Sequence, residues 1–122
     1  MAHANGKLPE ILSLPKPKSL FELRAEVAIW ERVITERYRV EHEGRRRDSS
    51  AWLIRIRLIR ALAEDSYGND CRNKVDHGLT CLSVCNSSFD MYQHYAFLIR
   101  VAERFDRDHW VKLFKQRQRA LQ

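Results

Sequence analysis

Apolar residues recur at alternating steps of three and four over one early stretch of the chain: Leu20, Leu23, Val27, Trp30 and Ile34. That spacing places all five on one side of a helix, with Arg24, Glu31, Arg32 and Arg39 on the other. Ser19-x-x-Glu22 at its head is a capping box, in which a hydroxyl and a carboxylate each close an orphan backbone donor. The pattern predicts a helix from Ser19 to about Tyr38. Residues 1–18 carry Gly6 and the three prolines, Pro9, Pro15 and Pro17, without a helical period. They read as an extended N-terminal arm whose Leu8, Ile11, Leu12 and Leu14 are able to dock on the body.

Gly44 and Arg45-Arg46-Arg47 interrupt the pattern, and Asp48, Ser49 and Ser50 offer N-caps for a second helix from about Ala51 to Glu64. Within it, Ile54, Ile56 and Leu58 alternate with Arg55 and Arg57, as a strand would. Helix is the better reading, because the run continues unbroken into Arg60-Ala-Leu-Ala-Glu64 and an isolated strand has no partner. Residues 65–70 read as a loop. Ser87-x-x-Asp90 is a second capping box, and Phe89, Tyr92, Tyr95, Ala96, Ile99, Ala102 and Phe105 mark a third helix to about Arg104. Asp106 or Asp108 caps a last helix over 108–120, with Trp110, Leu113 and Phe114 on its apolar face. The expected fold is all-α. It is a single-domain bundle of about four helices over residues 19–122, with a Cys/His-containing connection between the second and third.

Composition agrees with a helical core. The chain of 122 residues is 44% hydrophobic, with only four glycines and three prolines, enough apolar surface to offset the entropy of folding. No apolar run approaches the ~20 residues that cross a bilayer, and residues 1–18 hold no apolar stretch of signal-peptide length. No membrane partner is expected. Three cysteines, an odd count, suit reduced thiols in a cytoplasmic or nuclear setting.

Those cysteines bring in the first candidate chemistry. Cys71, Cys81 and Cys85 fall within fifteen residues that also hold His77, spaced C-x5-H-x3-C-x3-C. Three thiolates and an imidazole make a complete ligand set for a tetrahedral structural zinc. The spacing lacks the C-x2-C knuckle, so the competing reading is Cys81 and Cys85 as small buried hydrophobes with Cys71 and His77 at the surface.

Charge brings in the second. Lys and Arg total 22 against 16 acids, a net of +6 and an isoelectric point near 9.5, which favours polyanions. The charge is clustered. Arg45, Arg46 and Arg47 with Arg55, Arg57 and Arg60 form one group; Lys112, Lys115 and Arg119 share one face of the last helix, with Arg107 and Arg117 nearby. Arginine suits phosphate because its planar fork donates two bonds to one anion. The plain alternative is a solvated surface, with the triple arginine as a loop or localisation signal. Trp30, Trp110, Tyr92 and Tyr95 lie on apolar stripes and read as core, which leaves Trp52, beside the arginines, as a base-stacking candidate.

Catalysis finds little here. Cys with His is able to form a nucleophilic pair, but no third orienting group stands at a recognisable spacing. There is no phosphate-binding glycine loop and no His-Glu-x-x-His. The arginine run ahead of a Cys/His segment, followed by a basic C-terminal helix, resembles in organisation the small cysteine-rich regulatory proteins of some plant RNA viruses. That resemblance covers residues 45–120 and implies RNA binding and suppression of silencing.

The expected function is a small basic nucleic-acid-binding regulatory protein, RNA ahead of DNA, recognising backbone and shape, zinc-stabilised and dimeric. The competing expectation is a helical adaptor or assembly subunit, for which a surface patch of Leu20, Val27 and Trp30 would speak. Replacing Arg45, Arg46 and Arg47 together with Ala should weaken binding to all sequences alike and flatten the salt slope by about 2 to 3 units. Mobility-shift titrations at several salt concentrations read this; normal binding by the triple variant leaves the run a targeting signal or passive loop.

Overall fold

The computed structural model describes residues 10–41 and 50–121. Among them are five α-helices, one short 3-10 turn at Glu10–Ser13 and no strand. Helix α1 spans Leu20–Glu41, a turn longer than its stripe predicts. Ser19 Oγ accepts from the Glu22 amide at 3.2 Å, and the Glu22 carboxylate reaches back to the Lys18 amide rather than to Ser19. Leu23, Val27, Trp30 and Ile34 are buried, whereas Leu20 stays half exposed.

Helix α2, Ser50–Ser66, decides the helix-or-strand alternative, because Ile54, Leu58, Ile59, Ala61 and Leu62 are buried at helical spacing. It stops at Gly68, whose φ of +90° is a left-handed conformation that glycine adopts without a steric penalty. There the Gly68 and Asn69 amides satisfy the last carbonyls, of Asp65 and Glu64.

The expected Cys/His connection is itself a helix. Helix α3 runs Arg72–Cys85, and its core side is Val75, Leu79 and Leu82. Attention to the four metal-ligand types hides this stripe, which has the same three- and four-residue steps as the others. Gly78 explains how closely α3 lies on α2: a Cβ there would stand 2.8 Å from Leu58 Cδ2 and 3.1 Å from its Cγ. Any larger residue would force a buried leucine to move.

Helix α4, Ser88–Arg104, is the central element and packs on α5, α2, α3 and the 3-10 turn. Ser87 caps it, accepting from the Asp90 amide and donating to the Asp90 carboxylate at 2.9 Å. Asp106 does not start the last helix. Its φ of 56° places it just past the end of α4, with its own amide on Glu103 O and the Arg107 amide on Ala102 O. Helix α5, Asp108–Arg119, then folds back along α4 through Trp110 and Phe114.

One buried cation ties three parts together. Arg104, 6% exposed, donates Nε and Nη2 to the two Glu26 carboxylate oxygens at 2.6 and 2.7 Å. Its remaining donors reach the backbone carbonyls of Leu14 at 2.8 Å and Pro15 at 2.9 Å. Glu26 also accepts from the Trp30 indole at 3.2 Å. The arm is thus held on α4 by its carbonyls, with an exposed Lys16–Asp106 pair beside it. Removing one partner of such a pair strands the other charge in the interior. Arg104→Ala should cost about 3 to 5 kcal/mol in urea unfolding. Tryptic cleavage after Lys18 should also become faster. An unchanged unfolding midpoint and cleavage rate would show that Arg104 does not hold the arm.

Candidate functional site

Helix α5 sorts its residues by side. Trp110 and Phe114 stack with centroids 5.7 Å apart, and Phe114 also meets Tyr95 at 6.2 Å. Val111 and Leu113 pack partly against the same core, and Gln118 donates to the Tyr92 carbonyl at 3.2 Å. With that side committed, Lys112, Lys115 and Arg119 are exposed on the other. Among the described residues none of the three has an ion-pair partner within 4.0 Å. The nearby arginines differ. Arg107 lies 3.5 Å from Asp65, which also faces His109 at 3.4 Å, and Arg117 lies 3.8 Å from Asp76.

The α2 arginines divide in the same way. Arg55 turns inward, donating Nε to His94 Nδ1 at 2.9 Å, with its guanidinium 4.7 Å above the Phe97 ring. His94 Nε2 faces Asn86 Oδ1 at 3.4 Å, and the Asn86 amide donates to the Leu82 carbonyl, so the chain of polar groups links α2, α4 and α3. Because Nδ1 accepts from Arg55, the neutral ring carries its proton on Nε2. Arg60 is bidentate to Glu31 across the α1–α2 contact, which raises the Arg60 pKa and lowers that of Glu31 through that hydrogen bond. Arg57 is exposed and opens on a groove between α2 and α3. Arg45, Arg46 and Arg47 and the side chain of Trp52 lie outside the described residues.

Of the candidate metal ligands, the described residues bring His77 and Cys81 together and leave Cys71 apart from them. The Cys71 thiol is buried and donates to Glu64 at 3.2 Å. Burial, then that carboxylate, push it up to about 11. Glu64 also holds Lys74 at 3.1 Å, and both hydrogen bonds lower its own pKa. His77 and Cys81, one turn apart on α3, do meet, with Nε2 3.6 Å from Sγ. The Cys85 side chain lies outside the described residues. Among the described residues no group of three or more His, Cys, Asp or Glu side chains is placed to hold a metal ion.

Three buried polar groups, Glu26, His94 and Arg104, escape the sequence reading. The signal is present, since His94 and Arg104 fall on the apolar side of α4 and a polar residue there must find an internal partner. No described helix is long and apolar enough to cross a membrane. No protein-family model, curated protein or solved structure matches the chain.

His94 gives the site a pH dependence. Burial first, and the Arg55 cation second, lower its pKa from 6.5 to about 4, against a smaller opposing pull from Asp90. The unfolded chain therefore binds more protons between those values. The resulting stability is complete above pH 6.5 and is lost as pH falls toward 4, by roughly 3 kcal/mol. Urea unfolding of the protein and of His94→Gln should differ in slope across that window. Parallel pH profiles would mean that His94 binds protons equally in the folded and unfolded chain.

Proposed function

We propose that the protein is a small helical nucleic-acid-binding regulatory protein that contacts phosphates through the outer face of α5, with RNA the first substrate to test. The observation that carries this is the set of three exposed cations, Lys112, Lys115 and Arg119, without ion-pair partners among the described residues. Several other basic side chains are engaged: Arg104 with Glu26, Arg60 with Glu31, Lys74 with Glu64 and Arg55 with His94. The α5 cations run along about 10 Å of helix axis. One strand of a duplex presents a phosphate per ~3.4 Å of its axis, so about three phosphates match the stripe. Such contacts position a protein on a backbone without reading bases. A homodimer would double the phosphates covered.

The adaptor alternative drew on a surface patch of Leu20, Val27 and Trp30. Val27 and Trp30 are buried, which leaves Leu20 alone of the three at the surface. The two sides of α5 should fail differently. Trp110→Ala should cost about 3 to 5 kcal/mol of stability, because a buried indole is removed from a stacked pair. Lys115→Glu should leave melting unchanged yet weaken RNA binding and reduce the salt slope by about 1 or more. Paired melting curves and mobility shifts on duplex and single-stranded RNA and DNA at two salt concentrations measure both. Wild-type affinity in Lys115→Glu, or absence of binding by the native protein at low salt, rejects the proposal.

A further inference from the structure

The chain treats two of its thiols in opposite ways. Cys71 is 1% exposed and donates to a carboxylate that raises its pKa, an environment that suppresses the thiolate. Cys81 is half exposed, with the exposed His77 imidazole at 3.6 Å. His77 and Cys81 line a groove of about 310 Å³ between α2 and α3, whose floor is Ile54, Ala61 and Gly78. Arg57, Arg60 and Lys74 stand around it. The carboxylate in the lining, Glu64, is bonded to Lys74 and Cys71, and Arg60 is held by Glu31. Arg57 is thus the cation with no ion-pair partner among the described residues.

A thiol, an adjacent base, an apolar floor and an available guanidinium are the parts of a covalent capture site for a small anionic molecule. We propose that Cys81 is a modification site for low-molecular-weight disulfides bearing carboxylates. His77 Nε2 takes the proton from Cys81 Sγ, and the thiolate attacks one sulfur of the disulfide. A new bond forms between Cys81 Sγ and that sulfur while the original sulfur–sulfur bond breaks. The departing thiolate recovers the proton from His77 and leaves as a free thiol. Cys81 is oxidised by the disulfide, which is reduced, so no other reactant is required. Arg57 holds a carboxylate of the incoming molecule and gives the site its preference for anions. This assignment is independent of the nucleic-acid reading, since it uses α2 and α3 and none of the α5 stripe.

Two disulfides of opposite charge test it on the native full chain, 3,3′-dithiodipropionate and cystamine. Mass spectrometry with fragmentation follows the adduct at each cysteine, and urea-unfolded protein supplies the intrinsic rates. One favourable unit-charge contact at ~4 Å in water is worth roughly fivefold. Relative to unfolded chain, folded Cys81 should therefore favour the anionic disulfide by about fivefold or more. Arg57→Glu should abolish or invert that preference. His77→Gln should slow both probes alike by about tenfold or more while keeping the preference. Circular dichroism establishes that these surface variants remain folded. Equal rates for the two probes, a preference untouched in Arg57→Glu, an unchanged rate in His77→Gln, or adducts on Cys85 ahead of Cys81 would each overturn the assignment.

Discussion

A guanidinium placed in an apolar interior needs every donor satisfied, and the arrangement around Arg104 follows from that need. Two of its bonds go to Glu26 on α1 and two further close contacts go to carbonyls of the arm. Among the described residues the arm has only one short 3-10 turn to absorb those carbonyls, so the cation and the irregular backbone satisfy each other. Glu26 in turn fixes the Trp30 indole, whose ring meets Phe97 edge-on at 5.7 Å. The polar cluster therefore sets the orientation of the largest side chain in the α1–α4 contact. A hydrophobic replacement would fill the volume but would leave the arm's carbonyls without donors.

The same accounting separates structural from available charge. Arg104 is buried and Arg55 partly so, each engaged by groups on other helices. By contrast, α5 is anchored chiefly by Trp110, Phe114 and Gln118, so Lys112, Lys115 and Arg119 are not needed to hold the helix. A charged face carried by a helix already fixed on the body is preorganised, and less freedom is lost when it meets a ligand.

Legibility in the sequence follows contact type. Helices α1, α4 and α5 are readable because each has one wet side and one dry side. Helix α2 is ambiguous locally, since Ile54, Ile56 and Leu58 alternate as in a strand; its burial pattern comes from neighbours on both sides, α1 and α3. Helix α3 is the miss. Its Val75, Leu79 and Leu82 stripe is short and shares its turns with Cys71, His77 and Cys81, whose spacing invites a metal reading. Gly78, which looks like a helix breaker, is instead where α3 approaches Leu58. The α5 stripe is legible as charge, and its lack of acid partners among the described residues is not, because Asp65 and Asp76 reach Arg107 and Arg117 from other helices. The meeting of Arg57 with His77 and Cys81 around one groove is likewise a product of packing.

The separation of Arg104 from its partners along the chain has a consequence for how the molecule assembles. Glu26 lies 78 positions away and the Leu14 carbonyl 90. On a ribosome, the arm and α1 emerge long before the cation that completes them. Until α4 arrives, Glu26 is a solvated carboxylate and the arm a segment without a docking site. Helices α2 and α3 can pair locally in that interval through Gly78 and Leu58, because their contact closes a short loop. The arm is therefore made well before α4 and seated only after it.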